Sequence, residues 1–412
     1  MPIAKTIARQ LENASWIRRM FEEGVRLKRE RGADAIFDFS LGNPDVEPPP
    51  AVLDALRRVA AGNRAGSHGY MPNPGYSEIR ETVAKKLRRE TGLGFTAEDV
   101  FMTVGSAGAC NVILKSILDP GDEIIVLMPF FPEYQFYIAN HGGRMVPVET
   151  DATFLPDVER IGAAITPRTR AIFLNTPNNP TGRVYPESVL RDLEAMLARI
   201  GQPIIVISDE PYKSFVYDGQ RQPEVASLIA NTAICNSWSK SLGLAGERIG
   251  YLALSPQMAD AATLRGACAF SNRILGFINA PAIWQWVMLE AADETIDIAP
   301  YEHKRNVLCN ALEKIGYEVR RPEGAFYLFL KTPIPDDIAF TKRLADEGVL
   351  AVPGTGFGRS GYIRLSLTIP LERIERSIGG FQRAFSASVQ GLLHDEFHRD
   401  RMRQRTGGRS YS

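Results

Sequence analysis

One lysine stands out in the segment CNSWSKSLGLAGERIGY, residues 235–251, because serines and small residues surround it. An apolar run ends there and delivers the amine of Lys240 among hydroxyl groups, with Arg248 eight positions further along. A lysine amine can bond covalently to a carbonyl carbon, and hydroxyls together with a guanidinium can bind an anion. The segment therefore suggests covalent chemistry beside an anion site.

Two further segments carry polar residues at the ends of apolar runs. GSAGA follows one run and opens a helix, so the backbone N–H groups near Ser106 and Ala107 would point at an anion. A tight strand-to-helix turn is the alternative, and an ATP-binding loop is excluded because the Gly-Lys-Ser/Thr ending is missing. In ISDEPY, Asp209 directly follows another run, where its carboxylate should meet a cation unless it caps a helix.

The anion cradle, the buried carboxylate and the lysine together match the needs of one molecule, pyridoxal 5'-phosphate. Its phosphate needs N–H and hydroxyl donors, its ring nitrogen needs a carboxylate to stay protonated, and its aldehyde needs an amine. A helix cap at Asp209 would not explain why Lys240 and Arg248 follow another strand of the same sheet.

The apolar runs read as short strands that alternate with amphipathic helices, a pattern typical of a parallel sheet covered on both faces. Ligands of such sheets bind beyond the carboxyl ends of the strands, so the polar segments should lie along one edge. We expect an α/β fold, with a mainly parallel sheet sandwiched by helices, and a smaller α+β domain. The predicted strands span residues 100–104, 123–128, 171–174, 203–208, 232–236 and 248–254.

The domain organisation follows from a change of pattern near residue 300, after which a helix, two strand-like runs and another helix indicate an α+β unit. Arginines and acids mix near the C-terminus, which favours a solvated tail over a binding segment. The predicted parts are an N-terminal segment joining the small domain (1–48), a large cofactor-binding domain (49–300), a C-terminal small domain (301–390) and a basic tail (391–412).

Composition limits the classes of partner. Lys plus Arg and Asp plus Glu number 48 each among 412 residues, so no overall field favours nucleic acid or an anionic membrane. The four cysteines lack the CxxC spacing of a zinc or redox site, and no motif predicts a metal. Without a signal peptide or a membrane-spanning run, we expect a cytoplasmic protein that binds small molecules.

Eight motifs, in order, resemble the fold-type I pyridoxal-phosphate enzymes, specifically the class I and II aminotransferases related to aspartate aminotransferase. They cover nearly the whole chain and read FSLGNPD, YMPNPGYSEIR, TVGSAGA, PFFPEY, NTPNNPTG, SDEPY, SWSKSLGLAGERIGY and YIRLSLT. The resemblance implies an enzyme that moves an amino group from an L-amino acid to a 2-oxo acid through a Lys240 aldimine.

The resemblance also implies roles for the residues around the cofactor. Lys240 would form the internal aldimine and shuttle the substrate proton, while Asp209 would pair with the ring nitrogen. Tyr212 and Asn179 would reach the 3' oxygen of the ring. The residues implied to hold the phosphate are Gly105, Ser106, Ala107, Ser237, Ser239 and Arg248.

Other matches concern ring stacking, the substrate and a second subunit. Phe131 resembles the aromatic that stacks on the cofactor ring, with Tyr134 as a substitute. Tyr70 matches a tyrosine that reaches the phosphate of the neighbouring subunit, which implies a homodimer with shared active sites; a core aromatic is the alternative. For Arg364, an ordinary salt bridge is the alternative to a substrate contact. The residues implied to receive the substrate are Gly42, Asn43, Asn179 and Arg364.

Three functions remain open at this point. An aminotransferase is the first, and a lyase or cyclase acting at Cβ or Cγ of an amino acid would share the same cofactor site. A non-enzymatic regulator is the third, but such regulators carry a DNA-binding domain, and the pattern begins within about 40 residues of the start. No motif identifies the amino acid or the oxo acid, although Arg273 is a candidate for contacting a distal group or the neighbouring subunit.

Overall fold

The structure, a computed structural model, describes residues 3–12, 16–62 and 64–406. The last helix runs to Thr406, and the end of the predicted basic tail, residues 407–412, lies outside the described residues. The strands are β1 (Phe37–Asp38), β2 (Val100–Thr103), β3 (Glu123–Met128), β4 (Arg144–Glu149), β5 (Thr169–Asn175), β6 (Ile205–Asp209), β7 (Thr232–Ser237), β8 (Gly250–Leu254), β9 (Tyr327–Lys331), β10 (Val349–Leu350), β11 (Val352–Pro353) and β12 (Tyr362–Ser366). The α-helices are α1 (Lys5–Glu12), α2 (Trp16–Arg31), α3 (Pro50–Gly62), α4 (Ser77–Thr91), α5 (Gly105–Ile117), α6 (Tyr134–Asn140), α7 (Val158–Ala164), α8 (Glu187–Ile200), α9 (Val225–Leu228), α10 (Trp238–Ser241), α11 (Ala261–Ile274), α12 (Ala282–Ala291), α13 (Ala299–Ile315), α14 (Asp337–Asp346) and α15 (Leu371–Thr406).

The chain forms two compact units. The larger unit contains Asn43–Pro300 and Glu323–Ala325, and the smaller unit contains Met1–Gly42, Tyr301–Pro322 and Phe326–Ser412. In neither unit does the described part of the chain include a helix that is long and apolar enough to cross a membrane.

A seven-stranded sheet, in the order β2-β8-β7-β6-β5-β3-β4, organises the larger unit. Strands β3 to β7 pair in parallel, whereas β8 is antiparallel to both of its neighbours. The expected α/β fold with a mainly parallel sheet is therefore confirmed. All six predicted strands are present, and β4 is an additional strand that the sequence did not indicate.

Both faces of this sheet are buried, which explains the nearly continuous apolar composition of its strands. In β3, Ile124 and Val126 belong to one core cluster with residues of α5, while Ile125 and Leu127 belong to another with residues of α8. Because side chains alternate along a strand, helices on opposite faces bury alternate residues. The sheet is thus held rigidly between two helical layers.

The smaller unit has the expected α+β character. Its three-stranded sheet is antiparallel, in the order β11-β12-β9, and the short strands β1 and β10 pair in parallel. Phe39 and Phe381 meet edge to face in its core, with ring centroids 5.7 Å apart. Strand β12 lies in the centre of the sheet, so the side chains it carries are positioned on both sides.

Candidate active site

The carboxyl ends of several strands meet at one edge of the large sheet. Asn175 lies opposite Asp209 in the register, and Ser237 lies opposite Gly250, which in turn lies opposite Thr103. Strand β8 is antiparallel to both β2 and β7, so β2 and β7 point the same way and end at the same edge. The structure therefore brings together Asp209, the end of β7 and the beginning of α5.

The beginning of α5 forms a crowded, electropositive corner with Arg248. A Cβ on Gly105 would lie 3.0 Å from a guanidinium nitrogen of Arg248, and Gly105 has a positive φ that suits glycine. A Cβ on Gly250 would lie 2.8 Å from the Cα of Gly105, so both glycines are needed for this close approach. A helix N-terminus beside a guanidinium has a net positive field, which an anion would complement.

Lys240 lies in α10, directly after β7. Ser237 and Ser239 are buried and Lys240 is half-buried. The helix is anchored by Trp238, whose indole Nε1 donates to the carbonyl of Ala292 at 3.2 Å. This anchor fixes the short helix against the core, and so it fixes the point from which the lysine side chain extends.

Asp209 is a buried carboxylate, 6% exposed, at the end of β6. Ser106 and Tyr134 donate hydrogen bonds to its two oxygens, the latter at 2.5 Å. Burial raises the pKa of Asp209, and the two hydroxyl donors counteract this only in part. Within the described ranges no lysine or arginine forms an ion pair with Asp209, so its environment suits a cationic ligand.

Tyr134 is a partner of Asp209 that the sequence did not reveal. Its ring is buried and stacks on Phe173, with centroids 4.4 Å apart. The alternative that Tyr134 stacks on the cofactor ring stays a prediction. Phe131 is only half-buried and meets Tyr134 edge to face at 5.5 Å, so Phe131 keeps accessible surface for a planar ligand. The only sequence signal for Tyr134 was its position three residues after Phe131.

Asn175 is a second residue that sequence reasoning missed. Its side-chain nitrogen donates to the Asp209 carbonyl at 2.9 Å, and its side-chain oxygen accepts from the Asn179 N–H at 2.7 Å. It therefore ties the loop after β5 to the end of β6. Asn179 and Tyr212, which the sequence placed in the site, are both buried in this region of the larger unit.

Arg364 lies in the smaller unit, on the central strand β12, and is 1% exposed. Its guanidinium donates to the Ser40 carbonyl at 2.7 Å and lies over the rings of Tyr327 and Phe357, at 4.5 and 4.9 Å. Gly42 approaches the same tyrosine, since a Cβ there would collide with the Tyr327 hydroxyl. Arg364 is thus held in a fixed orientation by aromatic faces and one carbonyl.

The remaining predicted residues lie at the surface of the larger unit. Asn43 is exposed. Tyr70 is 92% exposed, which shows that the core-aromatic alternative is wrong. It lies in an apolar patch with Met71, Phe277 and Ile278, and Phe277 is 45% exposed. On α11, Phe270 is 53% exposed, and Arg273 lies over its ring at 5.2 Å. These side chains expose apolar area that a monomer would normally bury.

Comparisons with known proteins agree with this geometry. The family model described as aminotransferase class I and II matches residues 34–381. The aspartate/prephenate aminotransferase of Thermus thermophilus is 36% identical over 367 residues, covering 86% of this chain and 92% of that protein. An amino transferase from Eubacterium rectale has a TM-score of 0.90 at 34% identity, covering 94% of this chain and 100% of that one. The Thermus thermophilus aspartate aminotransferase with maleate has a TM-score of 0.82 at 32% identity, covering 93% and 100%.

Proposed function

This chain belongs to the class I and II aminotransferases, and we propose that it works with pyridoxal 5'-phosphate held at the edge of the large sheet. As an aminotransferase, it moves an amino group from an amino acid to a 2-oxo acid. The observation that carries the cofactor proposal is the buried Asp209 carboxylate, which accepts two hydroxyl donors and pairs with no lysine or arginine of the described chain. The aminotransferase relatives favour amino transfer over the lyase, cyclase and regulator alternatives.

The residues at the sheet edge fit the cofactor group by group. Arg248 and the first N–H groups of α5 would bind its phosphate, with hydroxyl donors from Ser237 and Ser239. Asp209 would keep the ring nitrogen of the cofactor protonated, because a nearby carboxylate favours the positively charged form of that nitrogen. When bound, the protonated ring withdraws electrons from the substrate Cα. The other residues proposed to contact the cofactor are Gly105, Ser106, Ala107, Phe131, Asn179, Tyr212 and Tyr70.

The proton chemistry is assigned to Lys240. Its amine would hold the cofactor covalently between turnovers and, once the substrate amine has replaced it, would take the proton from the substrate Cα. The same amine would return that proton to the cofactor carbon. We assign substrate α-carboxylate binding to Arg364, with Gly42, Asn43 and Asn179 as further substrate contacts.

A lysine at position 364 tests the carboxylate role. Arginine grips a carboxylate through two parallel N–H bonds, and Arg364→Lys keeps the charge but loses this fork. We expect the transition-state stabilisation measured by kcat/KM for amino acids to fall by about 1.5–3 kcal/mol, the value of a charged hydrogen bond. The cofactor absorbance should stay as in the wild type. If Arg364→Ala instead releases the cofactor, or slows amines without a carboxylate as much as it slows amino acids, the residue has a structural role.

We also propose a homodimer in which Tyr70 reaches the phosphate of the neighbouring subunit. Support comes from the apolar patch beside Tyr70, and from Asn279, whose side chain donates to the Pro72 carbonyl at 3.0 Å and so links the two loops of the patch. Ile278 adopts a positive φ of 65°, a strained conformation for a β-branched residue, at the same surface.

Charge introduced into the patch should dissociate the dimer. For Phe277→Glu we expect the dimer dissociation constant to rise by at least about 30-fold, because a buried interface anchor contributes roughly 2 kcal/mol or more. Light scattering after gel filtration measures the mass. Ile200→Glu, at another apolar position that is 40% exposed, is the matched control and should leave the mass unchanged. A dimer that survives Phe277→Glu at all concentrations contradicts the assigned interface.

A panel of amino acids mixed with cofactor-loaded enzyme tests the reaction itself. Loss of the cofactor's absorbance together with formation of the matching oxo acid is the result expected for amino transfer. The names of the relatives make aspartate the first donor to examine. Ammonia or a cyclic product without an oxo acid would instead establish lyase or cyclase chemistry.

A further inference from the structure

The loop that carries Tyr70 combines an exposed tip with a firmly attached base. Tyr70 itself is 92% exposed, whereas residues 71–76, which follow it, are bonded to the rest of the larger unit. One of these bonds joins the loop to the large sheet, since the Pro74 carbonyl accepts from the N–H of Met102 in β2 at 2.8 Å. Side-chain amides supply most of the others. The phenol of Tyr70 therefore extends into solvent from a fixed base.

Gln285, on α12, is the centre of this attachment. The residue is 0% exposed, and its Oε1 accepts from the N–H of Tyr76 at 3.1 Å. Its Nε2 donates to the Met71 sulfur at 3.0 Å and to the Ala280 carbonyl at 2.9 Å. A glutamine amide has two N–H donors, and both are used here. One buried side chain thus holds both ends of segment 71–76 and joins them to the loop that precedes α12.

Two asparagines hold the middle of the same segment. Asn272, on α11, is 1% exposed, and its side-chain nitrogen donates to the Asn73 carbonyl at 2.9 Å. The side-chain nitrogen of Asn279 donates to the Pro72 carbonyl at 3.0 Å. Carbonyl groups of a surface loop commonly face water, but here side-chain donors bind them. The conformation of the loop is therefore specified by the body of the larger unit.

Close packing adds to these hydrogen bonds. Gly75 has a positive φ of 102°, and a Cβ there would lie 2.7 Å from Oε1 of Gln285. The ring of Tyr76 packs on Trp286, with centroids 4.2 Å apart, and its hydroxyl donates to the Ser67 carbonyl at 3.2 Å. Residues on both sides of the exposed tyrosine are thus held in place.

We propose that Gln285 is a positioning residue that acts in the neighbouring subunit, by fixing the loop from which Tyr70 reaches the cofactor phosphate there. This inference rests on the proposed homodimer with shared active sites. A loop that is ordered before contact loses less conformational entropy when its tip binds, so the contact is stronger. Loss of the Gln285 amide should therefore weaken cofactor binding in the opposite subunit and leave binding in its own subunit unchanged.

Hybrid dimers test this prediction, because each hybrid has a single lysine to which the cofactor can attach. One subunit keeps Lys240, and the other carries Lys240→Ala and a different affinity tag, so sequential purification isolates the hybrid. Each hybrid is incubated with a range of pyridoxal 5'-phosphate concentrations and then reduced with borohydride. Mass spectrometry measures the fraction of Lys240 that holds cofactor. The half-saturating concentration is the readout, and it requires no turnover.

Gln285→Met keeps the approximate size of the side chain but lacks the amide that forms the three hydrogen bonds. Placed in the Lys240→Ala subunit, it should raise the half-saturating concentration roughly three- to tenfold, the scale for ordering one side chain on binding. Placed in the subunit that keeps Lys240, it should leave that concentration unchanged. A residue that only stabilises its own subunit would give the reverse pattern. The reverse pattern, or no change in either hybrid, overturns the proposal.

Tyr70→Phe separates a failure of this inference from a failure of the proposed dimer. In the Lys240→Ala subunit, it removes the hydroxyl that would meet the phosphate, and should raise the half-saturating concentration roughly ten- to a hundredfold. If Tyr70→Phe has this effect and Gln285→Met has none, only the role of Gln285 is refuted. If Tyr70→Phe also has no effect, the shared active site is itself refuted.

Two more variants complete the set. Gln257→Ala removes an exposed glutamine beyond Leu254, at the edge of the sheet opposite to Lys240, and should have no effect in either subunit. Asn279→Ala removes only the bond to the Pro72 carbonyl and should give a smaller shift, again only from the Lys240→Ala subunit. If Gln285→Met subunits do not assemble, Asn279→Ala decides the question by the same criteria.

Discussion

Lys240→Ala should fold and bind pyridoxal 5'-phosphate through the phosphate contacts, yet lose transamination by at least about 10⁴-fold. Two functions disappear together: the covalent attachment of the cofactor, and the base that moves the substrate proton, which alone contributes roughly 10²–10⁴-fold. Single-turnover rates with an amino acid measure the loss, and mass spectrometry after borohydride reduction measures the attachment.

A matched variant separates the effect of losing the Lys240 amine from the effect of losing any other lysine side chain. Lys115→Ala removes an exposed lysine from α5, and should keep both wild-type turnover and the covalent attachment of cofactor at position 240. Turnover in Lys240→Ala close to that of the wild type would refute the assignment of the base.

Asp209→Asn should slow proton removal from the substrate Cα by roughly 10²–10³-fold, the scale for losing one preorganised electrostatic group. The size of the side chain is retained, but its charge no longer holds the cofactor's ring nitrogen in the protonated form. Phosphate contacts are untouched, so cofactor affinity should change much less than the rate. An unchanged single-turnover rate would show that the carboxylate has no such role.

The same variant should be more stable than the wild type when both lack the cofactor. Burial raises the pKa of Asp209, so the folded state holds a proton on Asp209 more tightly than the unfolded state does. The stability associated with that proton is complete below the ordinary aspartate pKa of about 3.9 and is lost as pH rises through the folded-state value. Melting temperatures of the two apoproteins should therefore diverge as pH rises above the ordinary aspartate pKa. A wild-type apoprotein that is the more stable at pH 8 contradicts this expectation.

Local patterns were sufficient to predict most of the large sheet. Runs such as IIVLM in β3 are apolar throughout because both faces of their strands are buried, and this signal does not depend on distant residues. Strand β4 was missed because it lies at the edge of the sheet, is largely accessible to solvent, and contains Pro147. The antiparallel direction of β8 is a property of the assembled sheet and has no local signal.

The residues of the candidate site also divide into those that local sequence indicated and those that it did not. Lys240, Asp209 and Arg248 could be proposed from the sequence because each is a charged residue beside an apolar run. The hydroxyl of Tyr134 and the amide of Asn175 reach Asp209 across the fold, and neither residue type is unusual in a helix or strand. Glu210 follows Asp209 in the sequence, and only the alternation of side chains along the strand indicates that its carboxylate lies with Ser208 on the other face of the sheet.

The shared edge formed by β2, β6 and β7 has a consequence for the synthesis of the chain. Asp209 and Ser237 lie on strands that pair directly, but Thr103 joins their edge only after the ribosome has released β8, because β8 separates β2 from β7 in the sheet. A nascent chain that ends before residue 254 therefore lacks part of the edge at which we propose cofactor binding, and a cofactor could not favour its folding by mass action. If the proposed site is correct, a cofactor bound after β8 has inserted would make reopening of the edge less favourable. Cofactor binding would then report the moment at which the larger unit has finished folding.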